Sequence, residues 1–246
     1  MNIDDKELKL FSRHLILDEF KQNNFNKLQK QKITIIGIGG IGCPVAQYLV
    51  SAGIKNLKII DSDTVDISNL NRQILYSIKD IGKKKTIIAK KKLLDIYPNC
   101  NIENINVRLN KNNINKLCGE SNLIIDATDN WKSMILINEY CVKKFIPLIS
   151  TSVVGFDGQI TLFNNLPNKH LCLQCIFPTN KEPDLARCDT VGVIGTSAGI
   201  AGIIAAQKAI NFFLSKNNNN YITMVDIKSF KITNLRIKKN NNCKCL

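Results

Sequence analysis

A glycine-rich loop between a β-branched segment and an apolar helical segment constrains the fold of this chain more than any other feature. Lys32–Ile36 is typical of a buried strand, Gly37–Gly42 reads G-x-G-x-x-G, and Cys43–Ala52 is typical of a helix. A second strand is predicted at Asn56–Asp61. The sequence therefore predicts a βαβ unit with parallel strands, in which loop N–H groups and the helix N-terminus face a bound phosphate.

The segments on either side of this unit predict an α/β fold with a mixed sheet. Polar helices are expected at 1–30, where Leu8, Phe11 and Leu15 recur on one face, and another helix at Lys85–Tyr97. Three further strands are predicted at Ile105–Leu109, Leu123–Asp126 and Pro147–Ser150. Hairpin-like strands are predicted at Gln159–Phe163 and Tyr221–Ile237, around a long helix at 197–214 and a polar loop at 217–220.

This pattern predicts a single Rossmann-like domain over residues 1–246. It would comprise N-terminal helices at 1–30, a nucleotide-binding half at 31–150 and a mixed-sheet half at 151–246 that carries cysteines near its end.

The net charge of the chain has two explanations. Of 246 residues, 34 are basic and 20 acidic, which gives +14. Such a charge can attract an anionic partner. The alternative is compositional drift, because Lys, Ile and Asn dominate the chain and their codons are A/T-rich. The basic residues are scattered rather than gathered in one stripe, so the charge does not by itself favour nucleic acid.

No export or membrane segment is predicted. The acidic start, Met1–Asp5, precedes no apolar stretch typical of a signal peptide. Val191–Ile210 is apolar but rich in Gly and Ala and broken by polar residues, so it predicts a buried helix rather than a membrane span. We therefore expect a protein of the cytoplasm or plastid stroma, where nine cysteines serve as free thiols, metal ligands or catalysts.

Charged residues beyond the glycine loop distinguish between NAD and ATP. Asp61 lies 19 residues after Gly42, where a ribose-binding carboxylate is expected; alone, this pattern would suggest a dehydrogenase. Arg72, Lys85 and Asp129 indicate adenylate formation, in which a carboxylate attacks the α-phosphate of ATP and pyrophosphate leaves. Arg72 and Lys85 can neutralise the charge that builds up, and Asp129 can hold Mg²⁺.

Several short motifs follow one another along the chain. They are Ser12–Arg13, Gly37–Gly42, Ser68–Gln73, Lys85, Asp126–Asn130, Gly158–Ile160, Cys172 with Cys175, Cys188, and Gly192 with Gly195. On this series, from about Leu8 to the C-terminus, the chain resembles the MoeB/ThiF/HesA family of adenylyltransferases, relatives of the ubiquitin-activating enzymes. The resemblance is strongest to the molybdopterin-synthase adenylyltransferases of that family.

The resemblance implies ATP-dependent adenylation of the C-terminal glycine of a small ubiquitin-like sulfur carrier, for sulfur transfer in molybdopterin (molybdenum cofactor) biosynthesis. Asn69, Arg72 and Lys85 would contact phosphates. Asp129 would bind Mg²⁺, and Arg13 would reach across a homodimer into the neighbouring site. A separate protein is expected to donate the sulfur, because the chain ends just after its last cysteines. The implied ATP site is lined by Gly40, Asp61, Ser68, Asn69, Leu70, Asn71, Arg72, Lys85, Asp129 and Asn130.

Four cysteines are predicted to bind zinc. Cys172 and Cys175 form a C-x-x-C pair, half of a typical zinc site. The family has a second C-x-x-C near its C-terminus, whereas this chain carries a C-x-C pair, Cys243 and Cys245. Four thiolates can still hold a structural, tetrahedral Zn²⁺ that links the C-terminal region, and His170 is a candidate to replace one of them.

Cys188 corresponds to a loop cysteine that, in some members of the family, bonds covalently to the carrier after adenylation. Neighbouring Arg187 would favour a reactive thiolate; the alternative is an exposed loop thiol without a catalytic role. The other cysteines are expected to pack as small hydrophobic residues: Cys43, Cys100, Cys118 and Cys141.

Four alternatives remain open from the sequence. The same chemistry could act on the thiamine-pathway carrier. A relative that modifies tRNA would keep the fold and ATP, and the basic charge would suit RNA, but the paired cysteines and compact length argue against it. An NAD(P)-dependent reductase would leave Arg72, Lys85 and Asp129 unexplained. A catalytically silent binding protein would not need the whole ATP-binding set.

Overall fold

The structure is a computed structural model and describes residues 4–165, 171–178, 192–215, 221–240 and 243. In this part of the chain the strands are β1 Lys32–Ile36, β2 Asn56–Ile60, β3 Asn101–Ile105, β4 Leu123–Asp126, β5 Leu148–Val154, β6 Asp157–Phe163, β7 Tyr221–Asp226 and β8 Lys231–Arg236. They form one sheet in the order β3-β2-β1-β4-β5-β6-β7-β8. Neighbouring strands are parallel from β3 to β5 and antiparallel from β5 to β8.

Helices connect these strands. The α-helices of the described residues are α1 Asp5–Leu10, α2 Ser12–Leu15, α3 Gln22–Gln29, α4 Gly42–Ser51, α5 Lys85–Ile96, α6 Ile114–Cys118, α7 Trp131–Lys144, α8 Leu173–Ile176 and α9 Gly195–Ser215. Short 3₁₀ turns occupy Asp18–Phe20, Ile67–Asn69 and Ile78–Asp80.

The central strand β1 is buried on both faces. Ile33 and Ile35 belong to a large apolar cluster that includes α4 and α9, whereas Ile36 belongs to a second cluster with α7 on the opposite face. A parallel strand covered on both sides needs apolar residues at successive positions. This accounts for the β-branched run that ends at the glycine loop.

The strand order reverses at β1. The chain runs outward from β1 to β2 and β3, then returns to the other side of β1 with β4. Ladder bonds persist to the strand ends: Gly37 N–H donates to Ile60 O and Ala127 N–H to Ile36 O, each at 2.9 Å. The loops after β1 and β4 therefore diverge from one sheet edge, where open α/β sheets bind their ligands.

Most predicted elements are confirmed. β1 and β2 are parallel and in register from Lys32 with Asn56 to Ile36 with Ile60, as the βαβ prediction requires. The C-terminal half adds antiparallel strands around α9, so the mixed Rossmann-like sheet is confirmed. The polar loop predicted at 217–220 lies outside the described residues; strand β7 begins directly after it.

Two sequence predictions are wrong. The strand expected at Ile105–Leu109 is β3 and ends at Ile105, because Asn101–Ile105 pairs residue by residue with Asn56–Ile60. The expected apolar face of Leu8, Phe11 and Leu15 is interrupted, because the helix breaks at Phe11; Phe11 is buried while Leu8 is half-exposed.

Helix α9 is long and apolar enough to cross a membrane by length and composition, over Gly195–Leu214. Half of it is buried against the rest of the protein, where it packs on α4 and on strands β5 and β6. This packing agrees with the prediction of a buried core helix.

Candidate functional site

The glycine loop forms a tight turn between β1 and α4. A Cβ at Gly42 would lie 2.0 Å from the carbonyl oxygen of Gly37, so only glycine fits there. Asp61, at the end of β2, fastens the loop: its Oδ2 accepts from Ile38 N–H and its Oδ1 from Asp63 N–H, both at 2.8 Å. The carboxylate thus lies beside the loop, at the position that the sequence predicts for a ribose ligand.

Residues 66–70 form a polar turn beside the loop. Asp66 accepts hydrogen bonds from Ser68 N–H at 2.8 Å and from Ser68 Oγ at 2.6 Å, and these bonds hold the pKa of its carboxyl below the usual range. The Asn69 side chain accepts from Asp66 N–H at 3.2 Å. Ser68 and Asn69 therefore shape the turn, and Leu70 is partly buried behind it.

Arg72 lies against the glycine loop. Its Cγ would be 3.4 Å from a Cβ at Gly40, and its Nη1 donates to Ser68 O at 2.8 Å and to Asn71 Oδ1 at 3.1 Å. Helix α9 begins directly beside it, with Gly195 against the carbonyl of Asn71. Among the residues that the structure describes, no carboxylate lies within ion-pair distance of Arg72. Its positive charge is therefore free for an anion at the loop.

Lys85 opens α5 and is buried, with 5% of its surface exposed. Its Nζ contacts Asp63 Oδ2 at 3.1 Å, and its N–H donates to Asp63 O at 3.0 Å. Asp63 is largely exposed, so the pair lies at the rim of the site. Lys83 is exposed, whereas Lys84 is partly buried.

Asp126 ends β4 and is 1% exposed. Its Oδ1 accepts from Thr128 N–H at 3.0 Å and from Thr128 Oγ1 at 2.7 Å, while its Oδ2 is buried without a partner in the described ranges. Burial raises the pKa of Asp126 to about 6, and the charge of nearby Asp129 adds to this effect.

Asp129 and Asn130 have different surroundings. Asp129 is exposed and has no hydrogen bond or ion pair within the described part of the chain. Asn130 caps α7, because its side chain accepts from Ser133 N–H at 3.0 Å. The exposed Asp129 carboxylate is therefore held at the sheet edge by a capped helix that begins two residues later.

Two residues outside the predicted set contact the loop. Gln73 is 4% exposed, its Nε2 lies 3.6 Å from the position of a Cβ at Gly39, and its Oε1 is buried without a described partner. Tyr76 donates from its hydroxyl to Ile38 O at 2.8 Å. Gln73 is the last residue of the Ser68–Gln73 motif, a signal that could have identified it; no sequence signal indicates Tyr76.

Arg13 lies on α2 with an exposed side chain. No described hydrogen bond or ion pair joins it to the glycine loop of its own chain. The preceding helix α1 is anchored to the core by Glu7, which accepts from the Tyr97 hydroxyl and from Lys55 Nζ. The N-terminal helices are thus fastened to the core on one side and display Arg13 on the other.

Three cysteines form a thiol cluster: Cys172, Cys175 and Cys243, whose sulfur atoms all lie within 4.8 Å of one another. Cys172 Sγ lies 3.9 Å from Cys175 Sγ and 3.3 Å from Cys243 Sγ. Cys172 is completely buried. The predicted ligands Cys245 and His170, and the candidate nucleophile Cys188, lie outside the described residues.

The remaining described cysteines are all buried, which confirms that they pack as small hydrophobic residues. Burial raises the pKa of Cys43, Cys100 and Cys118 to about 12, and that of Cys141 well above its usual value. These four thiols therefore remain protonated and unreactive at neutral pH.

The sheet and the residues at its edge define an α/β protein with a glycine loop suited to a nucleotide. The chain belongs to the ThiF family, whose profile matches residues 11–245. This match confirms the family that the order of the sequence motifs indicates.

Two relatives bear names that describe an activity. A Porphyra purpurea protein, "Probable molybdopterin-synthase adenylyltransferase", is 37% identical over 210 residues, which cover 85% of this chain and 55% of that protein. The Escherichia coli K12 "Sulfur carrier protein ThiS adenylyltransferase" is 31% identical over 242 residues, which cover 98% of this chain and 96% of that protein. The chain thus spans about half the length of the first relative and nearly all of the second.

Solved structures support the fold. Escherichia coli MccB with ATP superimposes with a TM-score of 0.79 at 22% identity, over 99% of this chain and 82% of that chain. PaaA gives a TM-score of 0.80 at 23% identity, over 98% of this chain and 76% of that chain. At these identities the likeness shows the shared architecture alone.

Proposed function

We propose that this chain, an adenylyltransferase by its family, uses ATP to adenylate the C-terminal glycine of a small ubiquitin-like sulfur carrier, and so activates it for sulfur transfer in molybdopterin biosynthesis. The observation that carries the proposal is the guanidinium of Arg72, which lies against the glycine loop and has no carboxylate partner among the described residues. A hydride-transferring enzyme does not need an arginine, a lysine and an aspartate gathered near the phosphates, whereas a triphosphate that must lose pyrophosphate has a direct use for such cations.

The reaction follows from the arrangement at the sheet edge. Loop N–H groups and the start of α4 would hold phosphate oxygens, and the Asp61 carboxylate would accept a ribose hydroxyl. The carrier's carboxylate oxygen attacks the α-phosphorus, the bond to the bridging oxygen breaks, and pyrophosphate leaves with the negative charge. Arg72 and Lys85 would stabilise that charge, Arg72 through its rigid fork and Lys85 as a point charge. Asn69 would add a contact to the phosphates from the polar turn.

Asp129 fits a magnesium ligand. Mg²⁺ in phosphoryl-transfer sites is held by one or two carboxylates together with phosphate oxygens and water. Asp129 is exposed and without a described partner, so its oxygens are available. When bound, Mg²⁺ would supply Lewis-acid neutralisation of phosphate charge. Asn130 would line the site while it caps α7.

The thiol cluster fits a structural zinc ion. Tetrahedral Zn²⁺ with Zn–S bonds of about 2.3 Å requires sulfur atoms about 3.8 Å apart. The distances of Cys172 Sγ, 3.9 Å to Cys175 and 3.3 Å to Cys243, bracket that value. Cys245 would complete a closed four-thiolate set, which leaves no open position for catalysis. Zinc at this position would link the C-terminal region to α8.

The proposal extends to the whole assembly. Residues 1–246 would act as one domain within a homodimer, in which Arg13 of each protomer enters its partner's nucleotide site. The Cys188 thiolate would attack the carbonyl carbon of the adenylated glycine, the acyl–phosphate bond would break, and AMP would leave as the thioester forms. A separate protein would donate the sulfur. The compartment would be the cytoplasm or a plastid stroma.

The names of the relatives support a sulfur carrier as the substrate and include both pathways. The Porphyra purpurea name refers to molybdopterin synthase and the Escherichia coli name to the thiamine carrier ThiS. We favour the molybdopterin carrier because that relative is the more similar of these two, at 37% against 31% identity. The thiamine carrier is the alternative.

ATP–pyrophosphate exchange with purified carriers that end in Gly-Gly tests the proposal. We expect exchange that depends on Mg²⁺ and is faster with a molybdopterin-type than with a thiamine-type carrier. Removal of the carrier's terminal glycine should abolish it. Faster exchange with the thiamine-type carrier would shift the pathway, and no exchange with either carrier would refute adenylation of sulfur carriers. Tight NADH binding or salt-sensitive tRNA binding in its place would favour a reductase or a tRNA-modifying relative.

A further inference from the structure

The chain has a single tryptophan, Trp131, and the proposed reaction gives it no role. Trp131 is the first residue of α7, two residues after Asp129. Its ring packs edge-on against Phe177, with 5.8 Å between ring centroids and 89° between ring planes. Phe177 follows Cys175 by two residues.

Packing, and not a hydrogen bond, holds this ring. The Trp131 Nε1 is buried and has no partner among the described residues. Trp131 and Phe177 both border the apolar cluster that also contains Leu173 of α8. An edge-to-face pair of this kind contributes beyond its buried area and depends on ring geometry. Loss of either ring would therefore loosen the start of α7.

A second contact joins α8 to α7. Asn138 is completely buried, and its Oδ1 accepts from Leu173 N–H at 2.8 Å, within the C-x-x-C segment. Trp131 and Asn138 are seven residues apart, about 10 Å along the helix. Two contacts at this separation fix both the position and the direction of α7 relative to the thiol cluster.

We infer that Trp131 and Phe177 are positioning residues that couple the thiol cluster to the magnesium-binding carboxylate, Asp129. The Asp129 side chain has no described partner, so the backbone between β4 and α7 alone sets its direction. The end of β4 is fixed by the sheet, and the start of α7 is fixed by the Asn130 cap together with the Trp131–Phe177 contact. Metal binding by the cysteines would therefore set how tightly the nucleotide site holds Mg²⁺. This inference rests on the proposed function, in which Asp129 is the magnesium ligand.

A Mg²⁺ titration with saturating ATP tests the coupling, read from Trp131 fluorescence without carrier and from pyrophosphate exchange with it. Phe177→Leu should raise the Mg²⁺ concentration at half-saturation on the order of fivefold, with the KM for ATP and the rate at saturating Mg²⁺ unchanged. Phe212→Leu is the matched control, because it removes a ring from the Phe212–Phe213 pair of α9, whose centroids lie 5.1 Å apart. It should leave the titration unchanged.

Substitution of the tryptophan itself separates positioning from general loss of structure. In the exchange assay, Trp131→Phe should retain the wild-type Mg²⁺ requirement, because a ring still packs on Phe177. Trp131→Ala should match Phe177→Leu. Thermal melting verifies that each variant is folded at the assay temperature; if Phe177→Leu is not, the Trp131→Phe and Trp131→Ala pair decides.

Removal of the cysteine-bound metal completes the test. Wild-type protein treated with a zinc-selective chelator and desalted should acquire the Mg²⁺ requirement of Phe177→Leu, and the same treatment of that variant should add nothing. Equal Mg²⁺ requirements in wild type, Phe177→Leu and Trp131→Ala would overturn the coupling, as would additive effects of chelation and substitution. Failure of the proposed function is a separate result: wild type would show no exchange with any carrier, and the fluorescence titration would still decide the coupling.

Discussion

At the scale of single residues, Arg72 gives the sharpest test of the nucleotide site. Its guanidinium is held by the Ser68 carbonyl and the Asn71 side chain, so it is oriented, and no carboxylate of the described residues neutralises it. Arg72→Ala should lower the rate of pyrophosphate exchange about 100-fold, the usual cost of one preorganised charge contact in a transition state. Arg72→Lys should lose less, since it keeps the charge but not the fork.

The matched control is Arg108→Ala, which removes an exposed arginine beyond the end of β3. It lowers the net charge of the chain by the same amount, so it reports any loss caused by charge alone. Comparable losses in Arg72→Ala and Arg108→Ala would contradict a specific role of Arg72 at the phosphates.

The raised pKa of Asp126 predicts that the stability of the protein depends on pH. Burial raises its pKa from 3.8 to about 6, so between these values the folded chain keeps a proton that the unfolded chain has released. The unfolded state then binds fewer protons, and the free energy of unfolding falls as pH rises. The contribution of the protonated Asp126 to the free energy of unfolding is therefore fully present below about pH 4 and is lost as pH rises through 6. The loss is at most about 3 kcal/mol.

Asp126→Asn cannot titrate but keeps an oxygen that can accept both bonds from Thr128. Urea unfolding from pH 4 to 7 should therefore show the variant gaining stability relative to wild type as pH rises. Asp95→Asn, which removes an exposed carboxylate from α5, serves as control and should give a curve parallel to wild type. A parallel curve for Asp126→Asn would show that the buried carboxyl does not titrate in this range.

Some residues near the glycine loop could be predicted from the sequence, and others could not. Asp61 could be located because its spacing follows from a βαβ unit and its strand ends at the sheet edge. The contacts of Tyr76 and Trp131 could not be predicted, because each joins segments about 40 residues apart and depends on how separate elements pack. Spacing rules describe local geometry, whereas such contacts require the tertiary fold.

At the scale of elements, the packing of α9 on α4 gives a paired prediction. A Cβ at Gly202 would lie 2.5 Å from Pro44 Cγ and 2.6 Å from Ile41 O, so Gly202→Ala should destabilise the protein by about 1–3 kcal/mol. At Gly199 in the same helix, a Cβ would meet nothing within 4 Å. Gly199→Ala should therefore stabilise by about 0.5–1 kcal/mol, because alanine favours the helix.

Urea unfolding at neutral pH measures both changes, and an unchanged m-value would show that the same surface is exposed on unfolding. The two substitutions are chemically identical and lie in one helix, so helix propensity cancels between them. Equal effects at the two positions would mean that α9 does not approach α4 as closely as the structure shows.

The same elements show where local patterns suffice. β1 and β2 could be predicted because their apolar runs are short, β-branched and bounded by glycine or aspartate. The alternation of Ile105, Val107 and Leu109 predicted β3 at the wrong position. Strand β3 pairs with β2, and the register of that pairing places the strand at Asn101–Ile105. Pairing across a sheet thus overrides period-two alternation when the two disagree.

At the scale of the whole molecule, the open question is which chain completes each nucleotide site. Arg13 is displayed on α2 by helices fastened to the core through Glu7, and no described contact joins it to its own loop. The proposed homodimer places it in the partner's site. Arg13→Ala and Arg72→Ala proteins should then each have little activity as pure dimers, but mixed dimers should contain one intact site.

In that mixed dimer, the Arg13→Ala protomer has its own Arg72 and receives Arg13 from its partner, whereas the other site lacks both. Random mixing makes about half of the dimers mixed, each with one working site of two, so exchange should recover to about a quarter of wild type. Recovery should follow subunit exchange, verified by two affinity tags on the mixed species. If Arg13 acts within its own chain, every protomer in the mixture lacks one arginine and no activity returns. That result would show that Arg13 does not act in the partner's nucleotide site, and it would leave the proposed role of Arg72 at the phosphates unchanged.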